Sequence, residues 1–180
     1  MTKYFGKVDN ADDFKIRGIE ARQRSTPPFI EDVQRECLEQ FDATRSPDAV
    51  LGRLQDAINQ LHAGQIPIEQ PVERNRVSKP LEGYTQNVAA LKRARGQNLD
   101  VHPEQDIEYV VVDDEKTSRE RVALAHEKVE MYDASYYETE LVRAVKSVLS
   151  PLGWTRSDIR REVSETRVPE LTAFTESKRD

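Results

Sequence analysis

Positively charged side chains are concentrated in two segments of a chain that is acidic overall. The 180 residues carry a net charge of −6, but residues 1–24 hold six Lys and Arg against four Asp and Glu. Residues 72–96 hold six Lys and Arg against two Glu, whereas residues 97–149 hold thirteen acids against six bases. Salt screens charges beyond about 8–10 Å, so a local basic face attracts phosphate even on an acidic protein. The chemistry that these residues offer is therefore the binding of phosphate groups.

Metal binding has weaker support in the sequence. Carboxylate oxygens suit Mg²⁺ and Ca²⁺, and acidic runs occur at Asp12–Asp13 and at Asp113–Glu115. Both runs are typical of solvated turns in an acidic protein, so we expect no metal site there. The single cysteine, Cys37, lies on the apolar side of a predicted helix and is expected to pack in the core. The histidines are far apart and have no cysteine partners; they are His62, His102 and His126.

Helical periodicity predicts an antiparallel pair of helices after residue 25. Thr26 is a suitable N-cap for the first helix, with Pro27 at its first position. Ser46–Asp48 starts the second helix, which Gly64 is placed to end. Their apolar stripes are expected to be packing surfaces. These stripes are Phe29, Val33, Cys37, Leu38 and Phe41 in the first helix, and Val50, Leu51, Leu54, Ala57, Ile58 and Leu61 in the second.

The other patterns complete a fold of the α+β class that is mostly helical. Residues 3–7 and 15–21 are strand-like and are joined by turn-rich residues, which predicts an N-terminal β-hairpin. A hairpin alone is marginal in water and needs a sheet or a helix to pack on. The later predictions are an extended stretch at 66–77, a short helix at 87–95 ended by Gly96, a connection and buried strand at 99–112, an ambiguous segment at 122–131, a strong helix at 134–149, and a last helical turn from Ser157 to Arg161.

Several motifs follow one another along the chain in an order that indicates a family. They are Thr2–Gly6, Arg17–Glu20, Val77–Tyr84, Asn87–Ala94, Ile107–Val112 and Tyr132–Tyr137. Together they resemble the last part of the palm and the thumb of a family B DNA polymerase. The resemblance implies an end-of-palm hairpin at residues 1–24, a thumb domain at 25–161 and a flexible C-terminal tail at 162–180.

The resemblance also implies a set of DNA contacts. A thumb of this family holds a primer–template duplex of any sequence, which requires contacts to phosphates and sugars rather than to bases. Thr2 stands where the family has a lysine. Asn87 stands where it usually has a histidine, and an asparagine can also donate to phosphate. The implied DNA-binding residues are Lys3, Tyr4, Arg17, Arg24, Ser78, Lys79, Asn87, Lys92 and Arg93.

The tail contains a second, separate signal. Val168, Leu171 and Phe174 have the spacing of a sliding-clamp-binding peptide, which polymerases of this family often carry at their C-terminus. The leading glutamine and the second aromatic residue of such a peptide are missing. The alternative is a polar, disordered tail without a partner.

Catalysis is not expected from this chain alone. The resemblance implies a parent nucleotidyltransferase that uses Mg²⁺ held by aspartates, and one of these lies in a Tyr-Gly-Asp-Thr-Asp run that this sequence lacks. The implied partners are primer–template duplex DNA, in replication or repair, and the remaining palm, fingers and exonuclease domains. The alternative is a free-standing protein–protein interaction module with a thumb-like fold and no DNA affinity. Convergence of the implied DNA-binding residues on one concave face would favour the first interpretation.

Composition gives expectations about the cellular environment. No apolar run approaches the roughly 20 residues that span a bilayer, and no signal peptide is evident, so we expect a cytoplasmic location without a membrane partner. Eighteen arginines, nine lysines and 33 acids form a lysine-poor, acid-rich composition that is typical of proteins from very salty cytoplasm. This predicts a halophilic source, such as a halophilic archaeon. The alternative is an ordinary acidic mesophilic protein.

Overall fold

The fold combines a helical layer with a small antiparallel sheet. The structure, a computed structural model, describes residues 4–7, 14–79 and 88–172, with side-chain positions for 18–79 and 88–165. The elements in chain order are β1 (Tyr4–Lys7), β2 (Phe14–Arg17), α1 (Pro28–Thr44), α2 (Pro47–His62), β3 (Glu73–Arg76), α3 (Ala89–Gly96), β4 (Asp106–Val111), β5 (Val122–Leu124), α4 (Ala134–Leu149) and α5 (Arg156–Thr172).

The helical layer contains most of the buried apolar side chains. Helices α1 and α2 pack against each other and against α4, and α5 packs on α4 and α2. Arg45 adopts the left-handed conformation (φ 54°) and ends α1, so the chain reverses within two residues and α2 begins at Pro47. Cys37 and Leu54 are fully buried, and Tyr137 on α4 is buried beside them in the same core. The predicted helix pair and its packing stripes are confirmed.

The sheet has the strand order β3–β4–β5, and both pairs are antiparallel. Its register places Glu73 opposite Tyr109 and Arg74 opposite Glu108. The short helix α3 packs on β5, on β4 and on the turn Ser118–Glu120. Val110 and Val111 are both buried, which joins the sheet to the helical core. The predicted α+β, mostly helical fold is therefore confirmed, and the ambiguous segment 122–131 contains a strand, β5.

The start of α1 differs from the prediction. The helix begins at Pro28, and Pro27 rather than Thr26 occupies the N-cap position. The Thr26 hydroxyl donates instead to the carbonyl of Glu20, at 2.7 Å. A contact to the preceding segment has therefore replaced the local cap, which no local pattern could show.

Two further boundaries differ from the prediction. Strand β2 ends at Arg17, because Gly18 turns the chain with a positive φ of 76°. Helix α5 begins at Arg156, where Thr155 and Asp158 exchange hydrogen bonds in the manner of a capping box, so Ser157 is not the cap. The helix continues past Arg161 to Thr172. Within the described ranges, no helix is both long and apolar enough to cross a lipid bilayer.

Candidate nucleic-acid interface

The implied DNA-binding residues fall into three groups in the structure. Lys3 and Asn87 lie outside the described residues. Tyr4 and Arg17 stand opposite each other in the register of the β1–β2 hairpin, but only their backbone is described. The residues with described side chains are Arg24, Ser78, Lys79, Lys92 and Arg93.

A buried polar bridge fixes the segment that carries Arg24. The side-chain amide of Gln34 on α1 donates to the Glu20 carboxylate at 3.0 Å and to the carbonyl of Ala144 at 2.7 Å. Its oxygen accepts from the backbone N–H of Ala21 at 2.6 Å. Gln34 is fully buried, so all three bonds form away from water, where an unpaired polar group would be costly. The exit of the hairpin is thus held to both α1 and α4.

Arg24 lies in a groove of about 470 Å³ between the start of α1 and the sheet. Its guanidinium forms an ion pair with Asp106, and its side chain is 55% exposed. The groove is also lined by Arg74, by Glu127 and by apolar side chains such as Val72 and Val110. Of the implied DNA-binding residues with described side chains, only Arg24 lines this groove, and Arg93 reaches it only through its partner Glu127. The described lining does not include Ser78, Lys79 or Lys92.

Ser78 and Lys79 are exposed at the point where β3 ends. Just before them, Val77 donates its N–H to the carbonyl of Gln105 and accepts from the N–H of Glu104, both at 2.8 Å. Val77 itself is buried. The backbone directly before Ser78 and Lys79 is therefore fixed by the hydrogen bonds of Val77.

Lys92 and Arg93 are adjacent on α3, but their side chains have different environments. Ala90, Leu91 and Ala94 are buried against the sheet, whereas Lys92 is exposed on the opposite side. Arg93 is directed along the protein surface to Glu127, where its Nη2 donates to Oε1 at 2.6 Å and its Nε donates to Oε2. Its Nη1 donates to the carbonyl of Arg119 at 3.0 Å. This hydrogen-bonded ion pair raises the pKa of Arg93 and lowers the pKa of Glu127 to about 2.

Two more arginines on the sheet are paired with glutamates. Arg74 donates to Glu108, its neighbour on β4, at 2.6 Å, and Arg76 pairs with Glu104. The arginine side chains are about half exposed. Exposed pairs of this kind contribute about 0–1 kcal/mol, so a phosphate group could replace the carboxylate at small cost.

Sequence reasoning missed a partly buried carboxylate between β3 and α4. Glu73 on β3 accepts hydrogen bonds from the hydroxyls of Tyr136 (2.7 Å) and Tyr109 (2.9 Å), and Asn75 donates to the Tyr109 hydroxyl at 2.7 Å. Burial raises the pKa of Glu73, and the two tyrosine hydroxyls offset part of that effect. The signal available in the sequence was the Tyr136–Tyr137 pair, which gives no indication of its partner 63 residues away. Among the described residues, no group of three His, Cys, Asp or Glu is arranged to hold a metal ion.

Comparisons with known proteins point to a single family. The family model described as DNA polymerase family B matches residues 1–152. DNA polymerases of Thermococcus aggregans and Pyrococcus glycovorans are 25% and 26% identical to this chain, over 91% and 98% of its length. The structure of the family B DNA polymerase from the hyperthermophilic archaeon Pyrobaculum calidifontis matches 82% of this chain with a TM-score of 0.65 and 16% identity. The chain spans 9%, 24% and 20% of these three proteins.

Proposed function

Because the chain belongs to DNA polymerase family B, we propose that it is the thumb and the end of the palm of such a polymerase. In this role it grips the primer–template duplex through sequence-independent contacts to the backbone. The observation that carries the proposal is the exposure of Ser78, Lys79 and Lys92 on a fixed framework of β3 and α3. Polar and cationic groups in fixed positions supply the contacts that a duplex of any sequence needs.

Arg24 would join these contacts by exchanging its partner. Its ion pair with Asp106 is a single contact at the rim of the groove, and the arginine is more than half exposed. A phosphate can take the place of the carboxylate, since both are anions that accept from a guanidinium. Arg24 would then add a phosphate contact to those proposed for Ser78, Lys79 and Lys92.

The parent protein would carry out template-directed DNA synthesis. Mg²⁺ would supply charge stabilisation in that reaction, and among the described residues no group of three His, Cys, Asp or Glu is arranged to hold it. The proposed contribution of this chain is grip, and the remaining palm, fingers and exonuclease domains would be its partners. A sliding clamp would bind the C-terminal segment, where Val168 and Leu171 lie on α5 and Phe174 lies outside the described residues.

The test is duplex binding, measured by fluorescence anisotropy with a labelled primer–template over a series of KCl concentrations. The Lys79→Ala/Lys92→Ala variant is expected to bind more weakly. The slope of log K against log salt should fall by about 0.9 for each phosphate that the variant no longer neutralises. Arg156→Ala/Arg160→Ala on α5 is the matched control. It removes the same charge from an exposed surface of the helical layer.

Equal weakening by both variants would show a general charge effect and would contradict the proposed site. Absence of binding by the folded wild-type chain at every salt concentration would favour the alternative, a protein–protein interaction module without DNA affinity. Circular dichroism at each salt concentration establishes that the chain is folded.

A further inference from the structure

We propose that Arg93 does not bind phosphate and instead acts, together with Glu127, as a positioning pair that directs Lys92 toward the duplex. This inference rests on the proposed duplex-gripping function. It reassigns Arg93, which the family resemblance treats as a DNA contact like its neighbour Lys92. The reassignment follows from the number and direction of the bonds that Arg93 makes.

Arg93 is bound on several sides within the protein. Both oxygens of Glu127 accept from its guanidinium, and the carbonyl of Arg119 accepts a third bond. Glu127 is itself fixed, because its Oε2 also accepts from the backbone N–H of Leu124 at 2.6 Å. The Arg93 and Glu127 side chains are only 28% and 19% exposed. Bidentate, partly buried pairs of this kind are the strong class of ion pair.

The Arg93–Glu127 pair is fixed within the protein, whereas the Arg24–Asp106 pair can be replaced by a phosphate contact. Arg24 has one described contact to a carboxylate and a side chain that is 55% exposed. A phosphate that binds Arg24 displaces one partner from an exposed ion pair, and such pairs contribute little to stability. A phosphate that took the place of Glu127 on Arg93 would break two bonds and would leave Glu127 partly buried without its counter-ion. Truncating one member of such a pair is costly for that reason.

Helix α3 needs this support. It has eight residues, and helices shorter than about 12–15 residues are marginal in water on their own. Two of its three buried side chains, Ala90 and Ala94, are small, so apolar burial stabilises it only modestly. The Arg93–Glu127 pair ties the exposed flank of α3 to the turn after β5. Residues 92 and 93 are about 100° apart around a helix, so holding Arg93 on the protein surface holds Lys92 outward.

The opposite interpretation predicts the opposite result for one variant. If Glu127 merely masks a phosphate-binding arginine, Glu127→Gln would free Arg93, tighten duplex binding and raise the salt slope by about 0.9. If the pair positions Lys92, Glu127→Gln should weaken binding by about the same factor as Lys92→Ala and lower the slope. Asp106→Asn is the matched control, because it neutralises the carboxylate partner of Arg24. We expect that variant to bind more tightly.

A double-mutant cycle completes the experiment, with anisotropy measured for wild type, Lys92→Ala, Glu127→Gln and the double variant. All variants are compared at a temperature where circular dichroism shows each one to be folded. Little further loss in the double variant, relative to Lys92→Ala alone, supports action through Lys92. Unchanged or tighter binding by Glu127→Gln, additive losses, or equal weakening by Asp106→Asn would each overturn the inference. Failure of the wild-type chain to bind at all would instead overturn the proposed function on which it rests.

Discussion

The pKa values of Glu73 on β3 and Glu127 after β5 are shifted in opposite directions, and the difference follows from burial and from the groups that donate hydrogen bonds to them. Glu127 accepts from a guanidinium and a backbone N–H at the surface, so its charged form is stabilised. Glu73 accepts from two neutral tyrosine hydroxyls and is largely removed from water, so burial dominates and its neutral form is favoured. The same residue type therefore couples folding to pH with opposite sign at two positions.

Glu127 should stabilise the fold at neutral pH and lose that contribution in acid. Its pKa falls from 4.5 to about 2 on folding, because Arg93 binds the charged form. A depressed pKa means that the stabilisation is complete above pH 4.5 and disappears as the pH falls toward 2. Urea unfolding between pH 2 and 7 should show Glu127→Gln less stable than wild type by about 1–3 kcal/mol at neutral pH. The difference should shrink in acid.

Glu73 provides the internal contrast for that measurement. Its pKa is raised on folding, so ionisation destabilises the native state and the free energy of unfolding falls as the pH rises from the unfolded value. The difference between Glu73→Gln and wild type should therefore change with pH in the direction opposite to that for Glu127→Gln. Parallel pH dependence for the two variants would show that one of the two assignments is wrong.

The predicted bounds of α4 were correct because its signals are local. An apolar stripe at helical spacing runs from Tyr137 to Leu149, and Pro151 and Gly153 follow at its end. In the structure α4 spans Ala134–Leu149. The start of α1 was placed wrongly because its determinant, the bond from Thr26 to Glu20, depends on tertiary structure. Strand β5 was undecided because three residues are too few to show a period.

Capping of α4 by Asp133 can be tested directly. Its Oδ1 accepts from the N–H of Tyr136 at 2.9 Å, and its Oδ2 accepts from the N–H of Asp114 at 2.8 Å. Asp133→Ala should lower the free energy of unfolding by about 0.5–2 kcal/mol, because it removes a helix cap. Loss of the bond to the β4–β5 loop should place the value in the upper part of that range. Urea denaturation measures the change.

Ser135→Ala is the matched control for the cap. The residue is exposed in the first turn of the same helix, so its replacement should change stability by less than about 0.5 kcal/mol. Similar losses for the two variants would show that the first turn is sensitive to any substitution. The cap assigned to Asp133 would then be wrong.

At the scale of the whole molecule, the described residues do not show the division of charge along the sequence as separate basic and acidic faces. Several basic residues of segment 72–96 pair with acids of segment 97–149, as Arg74 does with Glu108 and Arg93 with Glu127. The pairs join residues 34 apart in the chain, so counting charges by segment could locate the arginines but not their partners. For that reason the sequence could suggest which cations lie near the proposed interface, but it could not show that Lys92 is exposed while Arg93 pairs with Glu127.

The same arrangement bears on the prediction of a salt-adapted protein. Exposed ion pairs contribute little each, so screening them with salt removes little stability. Networks of such pairs are also found in proteins adapted to heat, and their presence alone does not indicate salt adaptation. The excess of acids acts differently, because self-repulsion at a net charge of −6 destabilises the compact state. Screening of that repulsion favours folding.

We therefore expect the free energy of unfolding to rise when KCl is increased from 0.1 to 2 M, a range over which the Debye length falls from about 10 Å to below 3 Å. Urea denaturation at each salt concentration measures this rise. Glu39→Gln/Asp56→Asn is the control. Both side chains are exposed, and the two substitutions reduce the net negative charge from −6 to −4 without altering the core. If repulsion is the cause, this variant gains stability at low salt and depends less on KCl. Stability that falls with KCl in the wild type would show that the ion pairs outweigh the repulsion, and the salt-adapted interpretation would be wrong.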